Sequence, residues 1–125
     1  MATRDTVKLA DLVIPNGQAL SNIWTAREVY GDAEVVGVTS ETAVDGALTY
    51  TVDVTDDVTP SAAGTWSTLQ ILNGAVLADF QLPTVIGKAC RLPLEALAFT
   101  GIRIHASGNV TATRTFGASK QYIQN

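Results

Sequence analysis

Apolar and polar residues alternate along much of this chain, and the clearest alternation lies at residues 48–57. In the stretch LTYTVDVTDD, Tyr50, Val52 and Val54 fall at every second position, with threonine or aspartate between them. A period of two places these apolar side chains on one face of a β-strand. Asp53 is therefore predicted to point away from the core, on a face exposed to water.

Similar runs, each ended by a turn signal, continue over the whole chain. Asn-Gly, Asp-Gly and Ser-Gly pairs recur together with four prolines, as is typical of turns between strands. The strands predicted from this pattern are Val7–Ile14, Ala19–Trp24, Glu34–Thr39, Ala47–Val54, Thr68–Leu72, Ala75–Leu82, Ala89–Pro93, Gly101–Ala106 and Val110–Phe116. A spacing of about ten residues predicts an all-β fold, an antiparallel β-sandwich or jelly-roll-like single domain.

Two segments have features of a helix. In SNIWTAREVYG the helical spacing is loose, and threonine, valine and glycine weaken it. In PLEALAFTG, Pro93 suits the first turn of a helix, and Leu94, Leu97 and Ala98 follow at helical spacing. The sequence predicts at most one short helical turn, in this second segment.

Composition fits one folded domain. The chain has 125 residues, of which 46% are hydrophobic, enough for a single core. No apolar run approaches the ~18 residues that span a bilayer, so no membrane partner is expected, and the N-terminus lacks the apolar segment of a secretory signal. The single cysteine, Cys90, excludes an internal disulfide, and its apolar neighbours predict a buried structural thiol.

Charge is distributed unevenly. Residues 28–87 contain nine acidic residues and no lysine or arginine, whereas the two ends contain three acidic and all eight basic residues. The middle therefore carries −9 and the ends +5, which sum to the net −4. An acidic chain is not expected to bind nucleic acid, whereas a surface of two signs suits contact with another protein, including a second copy. The alternative is that the charges mix evenly over the folded surface.

Three aspartates within five residues, Asp53, Asp56 and Asp57, raise the question of a metal site. A calcium loop gathers several oxygen ligands and usually includes a bidentate glutamate and a glycine at the bend. No glutamate lies nearby in the sequence, and aspartate is favoured in turns for its own hydrogen bonds to the backbone. These residues are predicted to form a strand face and a turn, with no metal and no cofactor.

Candidates for catalysis are few. The single histidine, His105, lies in GIRIHASG, where alternation places it with Arg103 on the outward face of a strand. The sequence contains no GxSxG or HExxH motif and no second histidine for a metal pair. We therefore predict no catalytic residues and no enzymatic activity.

Trp66 lies in GTWSTLQ, where the chain enters a predicted strand. A large aromatic side chain at the start of a strand predicts packing between the two sheets of a sandwich. The alternative is that Trp66 lines a sugar-binding face.

Several motifs occur in an order that resembles small β-sandwich virion proteins of tailed bacteriophages, of the head decoration or cement type. They are LVIPNGQALSNI, EVVGVTSETAVDGALTYTVDVTDD, GTWSTL, GKACRLPLEALAFTGIRIHASG and ATRTFGAS, and they span about residues 12–116. The chain departs from the pattern at VTDDVTPSAAGTW, where extra residues separate Asp57 from Trp66. Similar motifs also occur in galactose-binding-like sandwiches.

The resemblance implies a structural function. A decoration subunit binds the major capsid protein on the assembled head and stabilises that shell by mass action. The resemblance further implies a homotrimer on the capsid surface of the virion, made in the host cytoplasm. The alternative is a galactose-binding-like carbohydrate-binding module of a phage tail or fibre.

The two polar ends of the chain are predicted to be partner-binding arms. We expect a sandwich at residues 12–116, an N-terminal arm at 1–11 and a C-terminal arm at 117–125, with passive tails as the alternative. Opposite charges would guide such arms onto a neighbouring subunit or capsid surface. The predicted partner-binding residues are Arg4, Lys8, Asp56, Asp57, Lys120 and Tyr122.

Overall fold

The computed structural model describes residues 3–25, 33–40, 48–82 and 88–124 of this chain. In chain order, its strands are β1 (Thr3–Ile14), β2 (Trp24–Thr25), β3 (Ala33–Ser40), β4 (Tyr50–Thr55), β5 (Ser67–Thr68), β6 (Gln70–Asn73), β7 (Val76–Asp79), β8 (Ala89–Arg91), β9 (Gly101–Ala106) and β10 (Arg114–Gln124). A short 3-10 helix, Leu94–Ala98, lies between β8 and β9. This helix confirms the predicted helical turn.

The strands form two four-stranded sheets and a separate hairpin. Sheet A has the order β1-β10-β3-β8, sheet B has the order β2-β9-β4-β5, and β6 pairs with β7. Every pair of these strands is antiparallel. The prediction of an all-β, antiparallel single domain is confirmed.

The core lies between sheets A and B. Tyr50, Val52 and Val54 of β4 are buried, so the face that alternation assigns to the core is the buried one. The Tyr50 ring meets the Phe116 ring of β10 with 5.6 Å between their centroids. This contact joins the two sheets through their largest buried side chains, and Ile14 of β1 is buried in the same core.

The two ends of the chain differ from the predicted arms. Strand β1 begins at Thr3, and β10 continues to Gln124, so Thr3 lies opposite Gln124 in one antiparallel ladder. Strand β10 also pairs with β3 on its other side. Backbone pairing of this kind needs no apolar side chains, because the N–H and C=O groups of each strand satisfy one another. Polar composition therefore does not prevent residues 3–11 and 117–124 from forming strands.

Several predicted strands have other bounds in the structure. Of Ala19–Trp24, only Trp24 belongs to a strand, although the preceding residues still hydrogen-bond to β9: the Ser21 amide donates to the Ile104 carbonyl over 3.0 Å. The predicted strand Val110–Phe116 overlaps β10 only from Arg114 onward. Residues 26–31 of the weaker helical segment lie outside the described residues.

The β6–β7 hairpin is an excursion from the edge of sheet B. The Leu69 amide donates to the Val52 carbonyl of β4 over 2.8 Å, and the Leu82 amide donates to the Tyr50 carbonyl over 2.8 Å. Between these two points the chain leaves the sheet and turns back at Gly74, whose φ of +69° suits the first of the two central positions of a type II′ turn. The predicted strands Thr68–Leu72 and Ala75–Leu82 are therefore interrupted, and the hairpin projects from the domain.

Candidate functional site

A cluster of polar side chains lies on the outer face of sheet B. In the register of β4 and β9, Asp53 lies opposite Arg103, and Thr51 lies opposite His105. Arg103 Nε donates to Asp53 Oδ2 over 3.2 Å, and His105 Nδ1 lies 3.0 Å from the same oxygen. One carboxylate oxygen thus holds two side chains of the neighbouring strand.

This cluster corrects the prediction that Asp53 faces water. The side chain does point away from the core, as alternation predicts, but it is only 5% exposed, and that of Arg103 is 9% exposed. His105 remains 45% exposed, which agrees with its predicted outward position. A buried carboxylate is costly unless it is paired, and here Arg103 pairs with it.

Trp66 covers the pair from outside, which corrects its predicted place between the sheets. The Arg103 guanidinium carbon lies 4.2 Å from the centroid of the indole ring, a cation–π contact. Trp66 Nε1 donates to the Ser61 carbonyl over 2.9 Å. The ring is half-buried, and Leu69, three residues later, fills the core position.

Residues 56–66, here called the cover loop, fold back over β9 to place Trp66. Asp57 Oδ2 accepts a hydrogen bond of 3.1 Å from the Thr65 amide, and the Asp57 amide donates to Thr55 Oγ1 over 3.1 Å. Pro60 approaches Gly101 so closely that a β-carbon on this glycine would lie 2.8 Å from the proline ring. The inserted residues that set this chain apart from the resembled pattern therefore form a packed cover.

A shallow cleft of about 220 Å³ lies beside His105. Its lining is rich in hydroxyl groups and consists of Thr49, Thr51, Thr68, Asp79, His105, Ala106 and Ser107. Hydroxyl, carboxylate and imidazole groups can donate to and accept from a polar ligand. The cleft is thus suited to hydrogen bonding with a polyhydroxylated molecule.

The pairing of His105 with Asp53 resembles the histidine and acid of a catalytic triad. Within the described part of the chain, no hydroxyl or thiol lies within hydrogen-bond distance of Nε2, the second ring nitrogen of His105.

The described residues contain no group of three histidine, cysteine or acidic side chains placed to hold a metal ion. They also contain no helix long and apolar enough to cross a membrane.

The structure separates the predicted partner-binding residues into two groups. Arg4, Lys8, Lys120 and Tyr122 all belong to the β1–β10 ladder, where Tyr122 lies opposite Asp5 of β1. Asp56 and Asp57 belong to the cover loop. Asp56 is exposed, whereas the Asp57 carboxylate is used within the loop. The first group shares the register of sheet A, in which Lys8 pairs with Ser119 and Lys120 with Val7, so Lys8 and Lys120 lie on opposite faces of the ladder. The second group lies beside sheet B.

Formal charge also divides between the two sheets. The strands of sheet A contain five basic and three acidic residues, a balance of +2: Arg4, Lys8, Arg91, Arg114 and Lys120 against Asp5, Asp11 and Glu34. Sheet B, the cover loop and the hairpin contain one basic and four acidic residues, a balance of −3: Arg103 against Asp53, Asp56, Asp57 and Asp79. The uneven charge along the sequence therefore becomes a difference between the two sides of the fold.

Cys90 lies in β8 at the edge of sheet A, paired in register with Val38. It is half-buried against the core, so the predicted full burial of this thiol is only partly met. Burial raises the pKa of the Cys90 thiol above its ordinary value, because the thiolate loses hydration. The side chain thus behaves as a weakly reactive packing group.

The cluster of Asp53, Arg103 and Trp66 was missed in the sequence because no single motif contains it. Alternation does place Asp53 and Arg103 on outward faces, but it does not show that their strands are neighbours. A pair of opposite charges on outward faces of two apolar strands is the signal that could have suggested it.

The chain matches no protein-family model, no curated protein and no solved structure.

Proposed function

We propose that this chain is a structural protein of a bacteriophage virion, a decoration or cement subunit that binds the major capsid protein on the assembled head. The order of sequence motifs supports this assignment. The structural observation that carries it is the long β1–β10 ladder, which brings the basic ends of the chain together on one sheet. The protein acts by surface complementarity and not by chemistry.

The ladder has the geometry of a docking surface. Strands β1 and β10 have 12 and 11 residues, whereas β4 and β9 of the opposite sheet have 6 each. The buried residues Leu12 and Ile14 lie at one end of β1, so its other half continues away from them. An extended sheet with polar, charged positions can meet an acidic partner surface along its length.

Binding of this kind stabilises the head by mass action. A subunit that binds only the assembled shell lowers the free energy of that shell by RT ln(1 + [L]/Kd), about 2.7 kcal/mol per site at a hundredfold excess over Kd. Many copies act together on one shell, so a modest affinity at each site is sufficient.

The test is binding to empty heads of the source phage that lack this chain. Charge reversal is preferable to truncation, because truncation would remove strands of sheet A. The variant Lys8→Glu/Lys120→Glu changes one position on each face of the ladder, so it tests docking by either face. Lys88→Glu is the matched control because Lys88 precedes β8 at the opposite edge of the sheet. Cosedimentation measures the bound fraction at low and high salt.

We expect the intact chain and Lys88→Glu to bind, with an affinity that falls as salt rises. The double variant should bind at least tenfold more weakly while keeping the melting temperature of the intact chain. Failure of the intact chain to bind heads would refute the proposed function. Equal binding of the double variant would refute the role of the ladder.

The hydroxyl-rich cleft beside His105 favours a second candidate function, recognition of a glycan by a module of a phage tail or fibre. Its test is a glycan array probed with the purified chain. Specific binding that is lost in Ser107→Ala and Asp79→Ala, both in the cleft lining, would support this function over head binding. Absence of any specific sugar binding would contradict glycan recognition as a function of this chain.

A further inference from the structure

The β6–β7 hairpin, residues 70–79, presents large apolar side chains to water. Leu72, Val76 and Leu77 are 70%, 68% and 59% exposed. The segment carries no charge before Asp79 at its base. Two short strands alone are marginally stable in water, and exposed aliphatic groups add nothing to their stability. The hairpin thus has the composition of an arm that is completed by a partner.

Both faces of this hairpin arm are apolar. Leu72 lies directly opposite Leu77, so these two side chains share one face. On the second face, Ile71 lies opposite Ala78, and Val76 lies in the next pair on that face. Ile71 and Ala78 are half-buried, whereas Leu72, Leu77 and Val76 are exposed. The exposed leucine pair and the tip of the arm are therefore the part that a partner surface would cover.

A shallow recess that could take this part of the arm lies elsewhere on the same chain. It has a volume of about 740 Å³, and its apolar lining consists of Val13, Pro15, Leu20 and Ala62. Val13 lies in β1, Leu20 lies beside β9, and Ala62 lies in the cover loop. The recess is shallow and open to water, so it can take the exposed side chains of the arm without enclosing the whole hairpin.

Apart from the exposed side chain of Gln18, the polar side chains of the recess have hydrogen-bond partners within the chain. Asn22 Oδ1 accepts from the Val13 amide over 2.7 Å, and Asn22 Nδ2 donates to the Asp11 carbonyl over 3.2 Å. The Asp11 carboxylate pairs with Lys8 over 2.8 Å. An uncharged, apolar arm could therefore cover Asn22 and Asp11 without leaving either side chain unpaired. This avoids the usual penalty for covering polar atoms.

The arm and the recess lie at opposite edges of sheet B. The arm leaves the sheet beside β4, while Leu20 and Ser21 border β9 on the far side. We propose that the arm of one copy inserts into the recess of the next copy, so that the chain assembles head to tail. Contacts of this type join two different surfaces of one chain and close into rings when the rotation between copies allows it.

This contact is independent of the capsid assignment, because it is tested on the purified chain alone. Native mass spectrometry and sedimentation velocity give the oligomeric state. Leu72→Asp places a charge on the arm, and Ala62→Arg fills the recess from the exposed cover loop. Val58→Asp is the matched control, since Val58 is 97% exposed and belongs to neither surface.

We expect the intact chain and Val58→Asp to form the same closed oligomer in the micromolar range. Leu72→Asp and Ala62→Arg should each be folded monomers. A mixture of the two variants should form a 1:1 heterodimer, because the intact arm of Ala62→Arg can enter the intact recess of Leu72→Asp. Only a head-to-tail contact gives this complementation.

Three results would overturn the proposal. They are an intact chain that stays monomeric, an oligomer that persists in both variants, and a mixture of variants that stays monomeric. An oligomer lost in Leu72→Asp but kept in Ala62→Arg would show arm-to-arm contact instead. If Leu72→Asp does not fold, Leu77→Asp on the same face replaces it. Head binding is measured separately, so either result can fail alone.

Discussion

Removal of the Arg103 guanidinium should destabilise the domain strongly, because Asp53 cannot reach bulk water. In the intact chain the Asp53 side chain is 5% exposed, and in Arg103→Met it would keep only His105, 3.0 Å from Oδ2. Breaking a buried ion pair by removing one partner costs about 3–5 kcal/mol. We expect the lower end, about 3 kcal/mol, because His105 remains. At roughly 4 °C per kcal/mol for a domain of this size, the melting temperature should fall by roughly 12 °C.

The double variant Asp53→Val/Arg103→Met provides the second half of this prediction. Replacing both members of a buried ion pair by apolar side chains is often neutral, so its stability should lie within about 1 kcal/mol of the intact chain. Trp66 can still lie over the methionine side chain, since sulfur packs well against aromatic rings. Recovery in the double variant would show that the single variant fails through an unpaired charge and not through lost volume.

The assay is urea unfolding followed by far-UV circular dichroism, which does not depend on the fluorescence of Trp66. Arg91→Met is the matched control, because Arg91 is an exposed strand residue whose loss should change stability by less than about 0.5 kcal/mol. Equal slopes with urea are required for the comparison. A cost below about 1 kcal/mol for Arg103→Met, or a double variant no better than it, would refute the reasoning.

Three further changes test the cover loop and the thiol. Gly101→Ala places a methyl group within 2.9 Å of two side chains and should cost over about 1 kcal/mol in urea unfolding, whereas Gly37→Ala, with 3.9 Å to its nearest atoms, should not. Asp57→Ala should cost about 1 kcal/mol by the loss of its hydrogen bond to the loop backbone, and equal unfolding midpoints for Asp57→Ala and the exposed-site variant Asp56→Ala would contradict this role. Because burial raises the pKa of Cys90, its alkylation by iodoacetamide should be slower in the folded protein than in urea at pH 8; equal rates would show that the thiol is not shielded.

Alternation predicted the inner faces of the fold well, because each strand shows its own period. Tyr50, Val52 and Val54 are buried, and a turn separates β6 from β7 near the Asn73-Gly74 dipeptide, although its two central residues are Gly74 and Ala75 because Asn73 still pairs with Val76. Alternation does not show which strands are neighbours in a sheet. The contact between Asp53 and Arg103 joins residues 50 positions apart, and it depends on the register between β4 and β9.

Trp66 shows how a large side chain can mislead. In the segment TWSTLQ, either the tryptophan or Leu69 can face the core, but not both, since they are three positions apart in an extended chain. The structure places Thr68 opposite Asp53 on the outer face, and this register turns Leu69 inward and Trp66 outward. The size of Trp66 suggested a core position in the sequence, whereas the cation–π contact with Arg103 and the cover loop favour its outer position in the structure.

The pairing of the first strand with the last sets an order for folding during synthesis. Strand β10 lies between β1 and β3, so neither of these ladders can form before β10 has been synthesised. Contacts between residues as distant as Thr3 and Gln124 give the fold a high contact order, which slows the search for the native state. Until β10 has left the ribosome, the unpaired edges of β1 and β3 are open to other nascent chains. Premature termination within β10 should therefore produce aggregation and not a shorter folded domain.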